Sequence, residues 1–417
     1  MMNPHILVLN QYYPPDSAST GRYVADVCEY LAQQGARVSV ITATPSYAPT
    51  TQKPPLIEKK RNLDVYRVPL GILTGRTPLS KRVAGYVAFL LRAKRLTQHV
   101  TRSFPPDAVL CFHNPPFLPA VALPAARKAR APFFYCPQDI YPDILTLNPQ
   151  FPLPKTFYKK WQQWHQRVLE NADHIIVLSD DMRKTLSDKG INPGKITVIP
   201  PWCSLAPIEP EKRLQARRWL GVQNSLLAVY TGNIGFLQPL SPLLQTASLL
   251  KRENILFFIV GDGMAKHQNA QRKCLQNIWN VQFFPFQYKQ DYERLLTSAD
   301  IGVLCLRKGA ERLSMPSRMT SYLASGLPVL AFMSSQGETA HWLRNSQSGW
   351  VCPTPQEARS LLLYLQSHKE ELIAYSIRAL QTAQEHFSPE KNLALYGNLF
   401  QQTLRTTRPQ ASLTRSP

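Results

Sequence analysis

Leu226-Leu227-Ala228-Val229-Tyr230-Thr231-Gly232-Asn233-Ile234-Gly235 is an uncharged apolar run that ends in two glycines. Its first part, Leu226–Thr231, reads as a strand buried on both faces, the habit of parallel sheets. The glycines after it allow the backbone to approach another group closely. Further strand-like runs follow at Ile255–Val260, Val281–Phe284, Ile301–Leu306 and Pro328–Phe332, with helical patterns between them. The same alternation occurs upstream, at His5–Asn10, Arg37–Thr42, Val65–Val68, Ala108–Phe112, Pro132–Cys136 and His174–Ser179. Helical stretches such as Gly21–Gly35 and Phe157–Ala172 separate those runs. Strands alternating with helices predict parallel sheets covered on both faces. The alternation occurs twice, and 417 residues exceed one ordinary core. The fold class is therefore α/β, with two doubly wound, Rossmann-like domains.

Composition marks the boundary. Ile199-Pro200-Pro201-Trp202, followed by Pro207 and Pro210, suits a linker, because proline removes donors and fixes the backbone. Residues 1–205 and 206–385 are the expected domains, and 386–400 a helix crossing back to the first. Residues 401–417 carry three arginines and no acid, and read as a flexible tail.

A hydrophobic share of 44% with 18% charged residues describes a globular chain. No apolar run approaches the ~20 residues of a spanning helix. The start, Met1–Asn10, has no basic leader, so no signal peptide is expected. The seven cysteines lack C-x-x-C spacing, which predicts reduced thiols in the cytoplasm rather than a disulfide framework or a metal site. The net charge of +21 predicts attraction to polyanions, without choosing among nucleic acid, anionic membrane and phosphorylated substrates. Much of it is local. Residues 65–106 contain no acid and eight cations: Arg67, Arg76, Lys81, Arg82, Arg92, Lys94, Arg95 and Arg102. Within Lys81–Arg95, helical spacing places Val83, Tyr86, Val87 and Leu90 on a packed side, roughly opposite Lys81, Arg92 and Arg95. Such a helix has a solvated basic face or a surface for anionic lipid headgroups, and the pattern fits both.

Parallel sheets bind ligands at the carboxyl ends of their strands, so the segments just after strands are the candidates. After the first strand, a proline-rich loop from Tyr12 leads to a helix start near Gly21, whose free amides attract anions. Gly232, Asn233 and Gly235 follow the strand quoted above. Val260-Gly261-Asp262-Gly263 is a second such segment, also explained by a tight turn. Ser314-Met315-Pro316-Ser317-Arg318 opens a helix stopped at Ser325-Gly326. Ser314 or Ser317 can cap it and Pro316 fits its first turn. Helix dipole, hydroxyls and Arg318 together suit a diphosphate. In the first domain, His113 and Asp139 both follow strands and reach one face, where they can position an acceptor hydroxyl or relay its proton. Taken alone, each reads better as an ordinary residue, His113 as a satisfied loop histidine and Asp139 as a cap of Ile140.

Taken in order, these pieces resemble the family 4 glycosyltransferases of GT-B fold, above all the colanic-acid and N-acetylfucosamine type. The matching segments include Tyr12-Tyr13-Pro14-Pro15, His113-Asn114-Pro115-Pro116, Gln138-Asp139-Ile140-Tyr141-Pro142-Asp143, Thr231–Gly235, Val260–Gly263 and Pro316-Ser317-Arg318 through Val329. The resemblance implies two Rossmann-like domains facing a central cleft. The second would hold a nucleotide-diphosphate sugar, a UDP-sugar first among candidates, through Gly232, Asn233, Gly235, Gly261, Asp262, Glu311, Ser314, Ser317 and Arg318, with Gly21 helping from the first. His113 and Asp139 would be the catalytic pair on the acceptor side. It implies retention of configuration, no metal ion and no separate cofactor; no D-x-D occurs. It implies a glycan or polyprenyl-diphosphate-linked acceptor, a place in exopolysaccharide synthesis, and a cytoplasmic enzyme peripheral on the inner face of the plasma membrane, held there through residues 65–106. This chain departs from the pattern where relatives carry arginine and lysine (here Asn233 and Gln238) and paired glutamates (here Leu313 and Ser321). Glu311 lies two residues from the first of those positions.

Rival readings are a GT-B epimerase of nucleotide sugars and a non-catalytic family member. Nucleic-acid binding is not expected: only Phe157–Trp164, with Lys159 and Lys160, interleaves aromatics and cations.

Overall fold

The computed structural model describes residues 3–16, 19–45, 54–70, 79–148, 154–203, 207–285, 287 and 289–407. The first sheet contains β1 (His5–Leu9), β2 (Arg37–Ala43), β3 (Ile57–Lys60), β4 (Leu63–Val68), β5 (Ala108–Phe112), β6 (Phe133–Cys136), β7 (His174–Val177) and β8 (Ile196–Val198). Their order is β3-β4-β2-β1-β5-β6-β7-β8, parallel except for the β3–β4 edge pair. The second contains β9 (Leu226–Asn233), β10 (Ile255–Asp262), β11 (Val281–Phe284), β12 (Ile301–Cys305), β13 (Val329–Phe332) and β14 (Gly349–Val351), all parallel, in the order β11-β10-β9-β12-β13-β14. Central strands such as β1 and β5 are buried at every residue, as their apolar runs require. β3, β8 and β14 are short edge or near-edge strands that periodicity alone does not reveal.

In each sheet successive strands are added first to one side and then to the other, with the switch point between the parallel neighbours β1 and β5 and between β9 and β12. A crevice opens at the carboxyl ends of such a pair. The ends of β1, β5, β9 and β12, with the loops and helix starts that follow them, carry most of the candidate residues.

Two expectations need correction. The helix Leu79–Ser103 buries Gly85, Phe89, Ala93, Thr97 and Val100, a stripe of 3.6-residue period. The small residues let it sit close to the sheet and to the helix Pro119–Ala129. Val83 and Val87, expected on the packed side, are instead 49% and 51% exposed. Arg67, counted among the surface cations, is buried and bound to Glu58 at 2.7 Å and to the carbonyls of Pro14 and Pro55; Arg76 lies outside the described residues.

The last helix, Pro389–Thr407, runs beyond residue 401 into the stretch expected as tail; positions 408–417 lie outside the described residues. It packs on the first sheet. Phe400 stacks on Phe134 of β6 at 4.1 Å, the Tyr396 hydroxyl meets that of Tyr23 at 3.1 Å, and Thr403 reaches His174 at 2.9 Å. The linker is held too: Trp202 stacks on Tyr23 and donates its Nε1–H to Asp26 at 3.0 Å. Of the free cysteines, Cys28, Cys111, Cys136, Cys305 and Cys352 are buried, Cys203 is half-buried and Cys274 is exposed.

Candidate active site

In the second domain, β9 and β10 pair in register to their ends, Gly261 opposite Gly232 and Asp262 opposite Asn233. The Val260–Gly263 segment is therefore strand through Asp262, not a tight turn. Gly261 has φ 155°, and a Cβ there would sit 1.9 Å from the Gly232 carbonyl oxygen. Gly232 has φ 129°, and a Cβ there would lie 2.9 Å from Nε of Arg318. The guanidinium thus lies over the Gly232 backbone, which brings two separate sequence candidates together. Arg318 also donates to the Tyr292 hydroxyl at 3.3 Å. Burial opposes its charge, but the hydroxyls of Tyr292, Tyr322 and Tyr230 outweigh that and hold its pKa above the ordinary guanidinium value.

Arg318 stands in the first turn of the helix Ser317–Ala324. Pro316 occupies the N-cap position in extended conformation, and no side chain caps the helix. This corrects the expected role of Ser314 and Ser317 as caps and moves Pro316 out of the first turn. Ser317 falls one position too late to cap. Ser314 is buried, its amide donating to the Ala310 carbonyl at 3.0 Å. Further along, Tyr322 fixes the helix to β9: the Thr231 amide donates to its hydroxyl at 2.8 Å. Gly302 of β12 makes room for that ring, since a Cβ would come within 2.4 Å of it. The helix stops at Gly326, whose amide bonds back to Leu323.

Asn233, where relatives carry arginine, and Gln238, near where they carry lysine, meet each other at 3.4 Å. Gly235 lies against the Asn233 side chain, and Asp262 accepts from the Gly263 amide at 2.8 Å. Two cations missed in the sequence stand here. Lys266 donates to the Gly261 carbonyl at 3.0 Å, and Arg307 donates through Nε to the Phe236 carbonyl at 2.7 Å. Arg307 directly follows the β12 run, so the strand-end rule could have found it.

In the first domain, His113 is buried and accepts the Gln138 amide on Nδ1 at 3.2 Å. A nitrogen that accepts carries no proton, so the neutral ring holds its proton on Nε2. That nitrogen faces Asp139 Oδ2 at 3.2 Å. The pair expected on one strand-end face is in direct contact. Gly21 lies in the first turn of the helix Ser19–Gln33, packed against the Tyr12–Tyr13 backbone at 3.2 Å from where its Cβ would be.

The two halves of the site touch. Asp139 and Ser314 form an antiparallel bridge, and the Ile140 amide donates to the Leu313 carbonyl at 2.9 Å. Nearby, Asp181 and Glu338 exchange bonds across the domains: the Glu338 amide donates to Asp181 Oδ2 at 2.6 Å, the Asp181 amide to Glu338 Oε2 at 3.2 Å. Burial raises the Glu338 pKa, although its hydrogen bonds to Trp342 and to the Asp181 amide oppose the shift. Glu311 is buried beside Gly337 and Asp181, and its Oε2 has no hydrogen-bond partner among the described residues. No group of three or more His, Cys, Asp or Glu side chains that could hold a metal ion occurs among the described residues.

Comparison with known proteins agrees with this architecture. Residues 20–202 match the glycosyl transferase 4-like domain, and residues 226–367 match the glycosyl transferases group 1 domain. The chain is 25% identical to the colanic acid biosynthesis glycosyl transferase WcaI of Escherichia coli (strain K12), over 90% of this chain and 96% of that protein. It is 23% identical to the probable glycosyltransferase WbjE of Pseudomonas aeruginosa, over 84% and 85%. Among solved structures, Anabaena Alr3699/HepE in complex with UDP and glucose superposes with a TM-score of 0.71 at 15% identity, covering 96% of this chain and all of that one. Sucrose-phosphate synthase from Thermosynechococcus elongatus gives 0.73 at 15% identity, covering 97% and 100%. The chain belongs to the family 4-like glycosyltransferases of GT-B fold, and its activity is glycosyl transfer.

Proposed function

We propose that the chain moves a sugar from a UDP-sugar to a glycan or polyprenyl-diphosphate-linked acceptor, with retention of configuration, on the cytoplasmic face of the plasma membrane. One observation carries the donor assignment: the Arg318 guanidinium lies over Gly232 at an uncapped helix start, on the switch point between β9 and β12. Free first-turn amides and a fixed cation match a diphosphate. HepE has been solved with UDP and with UDP-glucose, which makes uridine the first base to test.

In the reaction, the bond between the anomeric carbon and the diphosphate oxygen breaks, and its electron pair leaves with the diphosphate. Arg318 and the helix start stabilise that charge as it develops. The acceptor oxygen bonds to the anomeric carbon and releases its proton. Asp139 is the base within reach of the cleft, its second partner fixed by the His113 tautomer. Glu311 offers a buried acceptor to a donor hydroxyl, in place of the family glutamates absent at Leu313 and Ser321. Gly235, Asp262 and Ser317 line the same mouth, and Gly21 orders the opposing loop.

Thermal-shift titration with UDP-, GDP- and ADP-sugars tests this reading, since a ligand of the folded state raises its apparent stability. A UDP-sugar should raise the melting temperature of the wild type, and Arg318→Ala should remove that rise and lower turnover by about 100-fold or more. Equal donor binding by wild type and Arg318→Ala would sink the assignment.

A further inference from the structure

Arg318 differs from the other arginines that turn inward. Arg67 and Arg217 are buried, and each is paired with a carboxylate and with backbone carbonyls. Arg67 has Glu58 and the carbonyls of Pro14 and Pro55. Arg217 has Asp300 at 2.9 Å and the carbonyls of Ser298 and Val222 at 2.7 and 2.8 Å. Such arginines are committed to the fold. Arg318 is half-buried, and among the described residues its one hydrogen bond is the one from Nη1 to the Tyr292 hydroxyl. Burial works against its charge, and Tyr292, Tyr322 and Tyr230 offset that, with no carboxylate among them. A guanidinium carries five N–H donors, so most of those on Arg318 are open to a ligand.

The three tyrosines are not equivalent. The Tyr230 hydroxyl donates to the Asn233 carbonyl at 2.5 Å, and the Tyr322 hydroxyl accepts the Thr231 amide, so both are tied to β9. Tyr292 comes from another element, the helix Lys289–Ser298 that follows β11, and its ring packs against the main core. The guanidinium is thus fixed at two points, Nε over the Gly232 backbone and Nη1 on Tyr292. Two fixed points set the plane of the group. A neutral hydroxyl does this without cancelling the charge. A carboxylate in its place would neutralise the guanidinium and compete with any anion brought to it.

We infer that Tyr292 is a positioning residue of the donor site: its hydroxyl aims Arg318 at the diphosphate of the nucleotide sugar and leaves that cation unneutralised. The inference rests on the donor reading above and adds to it a residue from a helix interior, where no strand-end rule points. Tyr292 acts through Arg318, so its effect should vanish when Arg318 is absent.

Dissociation constants for UDP, GDP and ADP are measured on the full chain by titration calorimetry. Tyr292→Phe keeps the ring in its packing and should weaken binding of the preferred nucleotide about tenfold, the effect of one hydrogen bond to a charged group. Arg318→Ala should weaken it about 100-fold. Adding Tyr292→Phe to Arg318→Ala should cost nothing further, because residues that act through one another are not additive. Tyr292→Gln and Tyr292→Glu match each other in size and differ in charge. Tyr292→Glu should bind at least about tenfold more weakly than Tyr292→Gln, since only the carboxylate neutralises Arg318. A purely structural role for the ring would penalise the two equally. Wild-type affinity in Tyr292→Phe, the same loss from it with and without Arg318, or equal binding by Tyr292→Gln and Tyr292→Glu would overturn the inference. Wild-type affinity in Arg318→Ala, or a wild type that takes none of the three nucleotides, would overturn the donor reading itself and the inference with it.

Discussion

At the scale of single residues, the glycines after β9 and β10 show how a correct signal can have an unforeseen partner. Gly232 and Gly261 stand out in the sequence because they allow close backbone approach. The structure uses that freedom inside the protein, Gly261 against the Gly232 carbonyl and Gly232 against Arg318. A methyl group at Gly261 would meet backbone atoms, not a side chain able to rotate away. Gly261→Ala should therefore destabilise the second domain by about 3 kcal/mol, through overlap and a disfavoured φ. Chemical denaturation would measure it, and a loss below about 1 kcal/mol would mean that the strand ends are free to part. His113 and Asp139 were legible for a simpler reason: each follows a recognisable strand, and strands end on one face. Their contact, and the tautomer imposed by the Gln138 amide, depend on how two loops fold over each other, which no local pattern encodes. Arg318 was legible from helix-start chemistry, but the missing cap was not, because serine at either position would satisfy the same rule.

At the scale of elements, strands buried on both faces were the easiest to read, and the helix faces the hardest. The helix Leu79–Ser103 offers apolar residues at too many angles for periodicity to choose among them, and the smallest residues decided the packing. The helix Lys155–Asn171 was legible as a helix, while the state of its buried histidine was not. His165 lies against the Tyr135 hydroxyl of β6 at 3.2 Å. Burial, with the positive charge of Lys189 adding to it, lowers its pKa from 6.5 to about 4. In the unfolded chain this histidine takes a proton near its ordinary value, but in the fold it stays neutral until about 4. The unfolded state thus binds more protons across that window, so stability falls as pH drops from 6.5 towards 4 and loses nothing further below. The full effect is roughly 3 kcal/mol. Urea denaturation at neutral pH and near the lower end of the window should show that loss, and His165→Gln should flatten it. An equally steep acid slope in the variant would assign the loss to other groups.

At the scale of the molecule, two links join domains that could otherwise swing apart. One is the set of direct bonds across the cleft, which includes the Asp139–Ser314 bridge, the Ile140–Leu313 bond, the Asp181–Glu338 exchange and the bonds of Thr185 and Asp188 to Arg312. These are polar and range from buried, at Ile140 and Ser314, to exposed, at Arg312 and Asp188, as in the polar interfaces between domains of one chain. The other is the helix Pro389–Thr407, which leaves the second domain and buries Tyr396 and Phe400 on the first. Here the contact is a core contact: both rings are at most 2% exposed, and Phe400 stacks on Phe134 at a 15° interplanar angle. The two links should therefore respond differently to truncation of a side chain. Phe400→Ala removes a ring that the β6 face cannot refill, and should cost about 3–5 kcal/mol. Because the ring packs on the first sheet, the loss should appear as earlier melting of the first domain in calorimetry, while the UDP-sugar shift of the second domain persists. Asp181→Asn, by contrast, keeps the size of the side chain and weakens a single bond to the Glu338 amide, worth about 1–3 kcal/mol at most. If Phe400→Ala left melting of the first domain unchanged, the terminal helix would not be part of that domain's core. The two domains would then be joined only by the linker and the bonds across the cleft.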